Sequence, residues 1–425
     1  MSERAPDNGL LDSIRKDYVK TPLRADKPIL ILASFEPHSI ISASILCRAA
    51  FQTKQLFHVK FINPIIQRSQ LLKIIEKNRN YTNVLIGVDI IGKNDFKNTL
   101  TFSSHGTDGI PLGLQVYGFA LEQMEVAEAD LGLSILGAHV ENESSTVVDS
   151  LLASGTEQNI IQKKKGFKIP GTNHLTIVDA LSRCIHPYLD GLSGMESACE
   201  RLLEESNIPL AKRSGTIDEL TTEERKQLSA SLVTRLSPNT LSQILGTDLE
   251  FLLEESQSPL RYLSEMKSLL KTVWSRKLFG LAIGVLLGDR GRILKRLQDV
   301  YKNHTTEVLD AHQETIVYLN SSDTTVERVE DTLVAPIKIG SPLALPDVSR
   351  ILLETSFGNA KSLILTGNDF VSISWSNHKK SLSEVMKPFF EAEFSPIATS
   401  STSFMMSTEP EKNIREIQQI FYETG

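Results

Sequence analysis

The residues of this chain best placed to do chemistry are Ser34, Glu36 and His38, which follow directly on the apolar run Ile29 to Ala33. A hydroxyl, a carboxylate and an imidazole close together suit cation binding or proton transfer. Their position counts as much as their type. Ile29 to Ala33 reads as a short strand of the kind a parallel sheet buries on both faces. Pro37 and Ser39 break that pattern, and Ser42 to Ala50 reads as a helix of small and apolar residues lying close on the sheet. In open α/β sheets ligands sit outside the carboxyl ends of strands. A third apolar stretch, Asn83 to Ile91, reads as one strand ending on a further carboxylate, Asp89. Each of these groups also has an ordinary use. A strand-end histidine is commonly hydrogen-bonded or solvated, and a strand-end aspartate often caps a turn.

Other constellations are weaker. Gln162 to Gly166, with Lys163, Lys164 and Lys165, reads as a loop whose charges are solvated, or which touches a nucleic-acid backbone. Arg290, Arg292, Lys295 and Arg296 share one helical stretch with Asp289 and Asp299, so a phosphate-facing surface and a mixed one are equally open. Trp274, Trp375, Met405 and Met406 read as packing residues. Gly106 to Gly109 is too short for a phosphate loop and lacks its lysine. No nucleophile elbow, Ser-His-Asp set or dinucleotide fingerprint occurs.

With 425 residues the chain is long enough for two or three domains. A net charge of −7 argues against a protein built mainly to grip duplex DNA, while leaving room for a local basic groove. Three cysteines, Cys47, Cys184 and Cys199, lack metal-type spacing and are too few for a disulfide framework, so buried thiols are expected. The N-terminus is too polar for a signal peptide, and no apolar run approaches the roughly 20 residues that cross a bilayer. Leu278 to Leu287 reads as a buried helix. A cytoplasmic protein without membrane contact is expected.

In order, the chain predicts a polar lead-in with a short helix at Leu10 to Val19, then alternating strands and helices to about residue 140. That alternation argues for a doubly wound parallel sheet. Helices with loops follow to 210, and residues 211 to 310 read as almost all helix. Thr221 to Glu224 is a capping box, and Ser237-Pro238 starts another helix. The tail returns to strands, at Glu314 to Leu319, Thr332 to Ile337, Lys361 to Thr366 and Asp369 to Trp375. A hairpin at Gly367-Asn368-Asp369 and two closing helices complete a separate α+β domain.

This order of parts resembles the DHH phosphoesterase superfamily, in its archaeal RecJ-like branch, whose eukaryotic relative is the Cdc-forty-five-type helicase subunit. The resemblance runs from about residue 28 to 422. It is carried by Ser42 to Leu46, Val84 to Ile90, His105 to Gly109, Leu133 to Ala138, Gly166 to Ile208 and Leu287-Gly288-Asp289. It implies an α/β fold with a parallel-sheet DHH domain (28–210), a helical insertion module (211–310) and a smaller α+β DHH-associated domain (311–425), after a lead-in at 1–27.

The departures from the family pattern decide the implied function. Active members hold two divalent cations, usually manganese, on carboxylates and histidines at strand ends, where they clamp a phosphodiester and activate a water. The first motif, H-x-D-x-D-G, falls on Ser34 to Ser39 and keeps none of its ligands in place. The second motif keeps Asp89, but no D-H-H triplet follows before His105. The fourth motif becomes Gly137-Ala-His139-Val-Glu141. The phosphate-holding G-G-H falls near Thr399 to Ser403, where neither residue type remains. Two readings follow. In one, Glu36, His38, Asp89, His139 and Glu141 form a rebuilt manganese site of a single-strand exonuclease or phosphoesterase. In the other, which the losses favour, there is no catalytic residue, metal or cofactor. The chain is then a replication scaffold at the fork that docks the GINS complex and the MCM helicase and guides single-stranded DNA. By analogy its 211–310 module would meet the partner.

Overall fold

The computed structural model describes residue 23, residues 27–92, residue 96, and residues 99–103, 110–140, 146–321, 326–337, 341–357, 360–367, 369–376, 381–408 and 410–424. The expected lead-in helix at Leu10 to Val19, the turn at His105 to Gly109, and Glu141 lie outside them. The elements begin β1 (Ile29–Ser34), α1 (Pro37–Gln52), β2 (Phe57–Ile62), β3 (Ile65–Gln67), α2 (Arg68–Lys77), β4 (Thr82–Ile86), β5 (Asp89–Ile91), β6 (Thr99–Phe102), α3 (Leu112–Gln123), α4 (Glu128–Val140) and α5 (Thr146–Glu157). They continue β7 (Ile161–Phe167), α6 (Ile177–Ser182), α7 (Glu196–Glu205), α8 (Leu210–Arg213), α9 (Thr222–Val233), α10 (Pro238–Ile244), β8 (Leu245–Phe251), α11 (Leu263–Arg276), α12 (Phe279–Leu286) and α13 (Arg292–Leu319). The last are β9 (Glu327–Val329), β10 (Thr332–Pro336), α14 (Leu345–Glu354), β11 (Ser362–Thr366), β12 (Phe370–Trp375), α15 (Leu382–Glu391), β13 (Ile397–Ser400), β14 (Ser403–Ser407) and α16 (Pro410–Thr424). The chain is thus mixed α/β, with a parallel sheet and a separate mixed sheet. It divides into two compact units.

The first unit holds residues up to Gln162, with Phe251–Leu253 and Lys277–Lys295. Its sheet has the order β2-β1-β4-β6, every pair parallel. All six residues of β1 are buried, as a central parallel strand requires. Helix α1 is buried along most of its length. Its hydroxyls are satisfied within the helix, Ser42 donating to the His38 carbonyl at 2.7 Å and Ser44 to that of Ile40 at 2.8 Å. Behind it α3 and α4 approach at two glycines. A Cβ on Gly113 would stand 3.1 Å from the Ser134 carbonyl oxygen, and one on Gly137 only 3.5 Å from the Gly113 Cα and from Ile41. Asp130, fully buried, starts α4 by accepting the Ala127 amide at 2.7 Å and pairs with the Arg48 guanidinium. Arg48 also donates to the Leu286 carbonyl at 3.2 Å, so one cation joins α1, α4 and α12.

The second unit comprises residues 163–250, 254–276 and 296–425. One part is a small helical core built on Leu181, Leu202, Leu228 and Ile244. The Thr221–Glu224 capping box and the Ser237 cap with Pro238 both form as expected. The other part is a mixed sheet of order β13-β14-β12-β11-β10-β9, in which only β10 and β11 are parallel. The expected hairpin joins β11 to β12, and Trp274, Trp375 and Met406 are buried as packing residues. The three cysteines are free and buried, and burial pushes each thiol up to about 12. Among the described residues no helix is long and apolar enough to cross a membrane.

Several sequence expectations are corrected. The stretch 83–91 is two strands, because Gly87 takes a left-handed φ of +62° and turns the chain out of the sheet. Asp89 therefore opens β5, opposite Ile65 of β3, instead of closing β4. Residues 314–319 finish α13. Their β-branched residues suggested a strand, but buried Tyr301, Val308 and Thr315 keep a helical spacing through them. The lysine run lies in β7 and not in a loop, and the nearly all-helical 211–310 contains β8. Helix α12 is not buried. Leu278 and Leu287 at its two ends are 39% and 37% exposed.

The charged centre of the second unit is Asp347 of α14. It accepts from His186 Nε2 at 2.6 Å, His304 Nε2 at 3.0 Å and Ser275 Oγ at 3.2 Å. His304 Nδ1 in turn accepts from Arg276 Nε at 2.9 Å, which fixes its tautomer. Burial alone would raise the Asp347 carboxyl. The two imidazoles overcome that and hold it well below the usual carboxylate range. Burial also takes His186 down to about 3, against the pull of Asp347.

Two outcomes follow. Gly113→Val forces α3 away from the α4 backbone and lowers thermal stability by about 1–3 kcal/mol. Gly137→Ala has room, and its better helix propensity adds up to about 1 kcal/mol. Thermal melts of both variants check the crossing. For His186 the folded pKa is depressed, so between about pH 6.5 and 3 the unfolded chain binds a proton the folded chain refuses. Stability falls through that window as pH drops, by up to about 1.4 kcal/mol per pH unit. His186→Gln keeps a donor to Asp347 and flattens this slope in melts from about pH 7 to 4.5. An unaltered slope would refute the assignment.

Candidate functional site

The carboxyl end of β1 lies in the first unit. Ser34 is fully buried, and its Oγ donates to Ser39 Oγ at 2.8 Å and lies 3.1 Å from Glu36 Oε2. The Ser39 side chain fills the space opposite Gly87. A Cβ there would fall 2.0 Å from Ser39 Oγ, 3.1 Å from the Leu112 side chain and 3.3 Å from Ser34 Oγ. Glycine at 87 thus serves two needs, the left-handed turn and the close approach. On its other flank Phe35 stacks on Phe279 of α12, ring centroids 5.5 Å apart and planes within 10°, and Phe61 of β2 meets the same ring at 5.0 Å. The strand end is packed with serine hydroxyls inside and aromatic rings beside them.

Of the residues singled out by sequence, Ser34, Glu36 and His38 come together. His38 Nε2 is 3.7 Å from Glu36 Oε2, with the His38 side chain 4% exposed and that of Glu36 14%. Asp89 sits at the start of β5, its amide bonded to the Pro64 carbonyl at 2.7 Å. His139 is in the last turn of α4, its Nδ1 3.0 Å from the Ile135 carbonyl of the same helix. Among the described residues no group of three or more histidine, cysteine or acidic side chains stands close enough to hold a metal ion. A two-cation centre needs several oxygen and imidazole ligands converging on each ion, and Glu141, one of the candidates, lies outside the described residues.

The stretch matched to the phosphate-holding motif forms the β13–β14 hairpin in the second unit. Its hydroxyls bond one another. Ser403 Oγ lies 2.8 Å from Thr399 Oγ1 and 2.7 Å from Ser400 Oγ, and the Thr402 amide donates to Ser400 Oγ at 3.2 Å. A cradle for phosphate needs donors turned outward, and these turn on each other.

Sequence reading missed two polar centres, both in the second unit. One is the Asp347 cluster, whose members lie far apart in the chain and share no motif. The other surrounds Lys164. Its Nζ pairs with Asp218 at 2.8 Å and with the Tyr262 hydroxyl, and that hydroxyl donates to Asp218 at 2.7 Å. Lys163 and Lys165 point to solvent. The period-2 alternation of a strand was the available signal, masked by three identical residues. Beside this triad a recess of only about 10 Å³ is lined by Asp248 and Arg225, room for about one water.

No protein-family model matches the chain, and no curated protein matches it by sequence. Solved structures do match it. CDC45 from Entamoeba histolytica superposes with a TM-score of 0.64 at 12% identity, over 98% of this chain and 97% of that one. RecJ from Thermus thermophilus, in complex with Mn2+, superposes with a TM-score of 0.50 at 11% identity, over 99% of this chain and 55% of RecJ. Identities this low carry a fold and nothing finer. The chain has the fold seen in CDC45 and RecJ.

Proposed function

We propose that this protein is a non-catalytic scaffold of a replicative helicase, a counterpart of CDC45 that binds GINS and MCM and guides single-stranded DNA. The observation that supports the non-catalytic part is the packed end of β1, where Ser34 bonds Ser39 and a Cβ on Gly87 would meet both hydroxyls. The overall likeness to CDC45, which spans nearly the whole of both chains, supports the choice of a scaffold. GINS and MCM follow from the family resemblance in the sequence. A pseudoenzyme of this kind keeps the inherited body and uses its surfaces.

The competing reading, a manganese-dependent single-strand exonuclease with a divergent site, draws on the Glu36–His38 pair. The two separate in one assay. Purified protein incubated with end-labelled single-stranded DNA and manganese leaves the DNA intact, as do Glu36→Ala and Asp89→Ala. Cleavage that requires manganese and disappears in both variants would establish the nuclease and remove the scaffold reading. Affinity purification of the tagged chain from its native cell recovers GINS and MCM subunits together. Recovery of neither would count against the replisome assignment.

A further inference from the structure

Helix α12 is the most apolar of the described helices, yet it is only partly buried in the first unit. Its inner side is occupied. Phe279 stacks on Phe35, Ala282, Val285 and Leu286 are buried, and the Leu286 carbonyl accepts from Arg48. Its ends are open. Leu278 and Leu287 are more than a third exposed, and a Cβ added to Gly280 or Gly288 would meet nothing within 4 Å. Phe51 is placed near α12 by helical spacing. It follows Arg48 by three residues on α1 and so lies one turn along the face from which Arg48 reaches α12. Its side chain is 75% exposed.

The segment that carries this helix is opposite in charge to the chain as a whole. The protein carries −7, but between residues 277 and 295 there are four basic residues, Lys277, Arg290, Arg292 and Lys295, against one acid. That acid, Asp289, is turned to the backbone, where it accepts the Gly291 and Ile293 amides at 3.0 Å each and caps α13. The Arg290 guanidinium is held over the end of α12 by the carbonyls of Val285 at 2.6 Å and Asp289 at 3.2 Å. A cation is thereby fixed next to Leu287 before any partner arrives, which lowers the ordering cost of a contact.

We infer that the outer face of α12, with Phe51 and the basic residues Lys277, Arg290 and Arg292, docks an acidic amphipathic helix of a partner protein. The inference rests on the scaffold reading and names the chemistry of one contact. Apolar anchors flanked by cations suit a helix with leucine or phenylalanine on one side and carboxylates beside them. A nucleic-acid backbone would use the cations and leave the leucines wet. A rim of charge around an apolar centre sets partner choice and encounter rate, and the apolar centre supplies the affinity.

The test uses the full chain and a fluorescein-labelled helical peptide with leucine on one face and glutamate on the other. A twin peptide carries lysine in place of glutamate. Fluorescence anisotropy shows binding of the glutamate peptide that weakens as salt rises. Leu287→Asp and Phe51→Asp each reduce it at least about tenfold. The double change Arg290→Glu, Arg292→Glu loses the glutamate peptide and gains the lysine twin. Phe51, Leu287 and Arg292 are exposed, so changes there leave the melting temperature close to that of the parent; Arg290→Glu gives up bonds to two backbone carbonyls, so the double change is read beside Arg292→Glu alone. No binding, equal binding of both peptides, or binding unchanged by the variants would overturn the proposal. So would single-stranded DNA binding lost in the same variants, which would make the face a nucleic-acid surface. Self-association abolished by Leu287→Asp would make it a contact between copies. The assay involves no cleavage and neither helicase partner, so its failure leaves the scaffold reading standing on another surface, and failure of that reading leaves the peptide result intact.

Discussion

The packing at the carboxyl end of β1 constrains everything around it. A central parallel strand, buried on both faces, delivers its last residues to the place where an open α/β sheet receives ligands. Here Gly87 brings the β4 backbone so close to Ser39 and Ser34 that no side chain fits between them. The hydroxyls answer one another, as buried polar groups must. Ser34 is therefore a packing residue with a satisfied hydrogen bond. The left-handed turn at Gly87 also sends Asp89 into the small β3–β5 pair. One glycine decides where two of the candidate residues stand.

The same economy holds for the buried charges. Arg48 and Asp130 in the first unit form a pair whose second duties are structural, a carbonyl on α12 and the first amide of α4. Asp347 in the second unit gathers groups from α11, α13 and the segment after α6. A carboxylate held ionised between two imidazoles resembles the inner half of a catalytic relay. A relay, however, needs its imidazole to face a nucleophile or a substrate, and His304 spends its second nitrogen on Arg276. Removing one member of such a centre strands the rest in a low dielectric, so buried ionic joints of this kind specify an arrangement more than they add net stability.

Much of the fold was legible in the sequence because the signals were local. Ile29 to Ala33 could only be a buried strand, and Thr221 to Glu224 announces a helix start whatever surrounds it. The failures came where tertiary context overrode local pattern. Thr315 to Leu319 has strand-like residues, yet it is wound into α13 because its buried positions continue a helical spacing begun two turns or more earlier. Lys164 looked like one charge of three until Asp218 and Tyr262, remote in sequence, claimed it. The candidate site was legible in part. The strand-end placement of Ser34, Glu36 and His38 could be read directly, but the turn that puts Asp89 in β5 depends on a φ value that glycine permits and does not announce.

Helix α12 shows the limit of reading hydrophobicity as burial. An apolar helix of eight residues is ordinarily explained by a core on all sides. This one is only partly covered, by Phe35, Phe61, the Leu286 carbonyl bond to Arg48 and Ile293, which a Cβ on Gly284 would meet at 2.7 Å. The outer residues are only partly covered, and exposed leucine and phenylalanine raise the risk of aggregation. Charged neighbours reduce that risk by keeping like surfaces apart. Four cations beside the strip, in a chain with an excess of acid, do so without closing it to an acidic partner. The feature that looks least economical in the folded chain is therefore the one whose chemistry best specifies what should cover it.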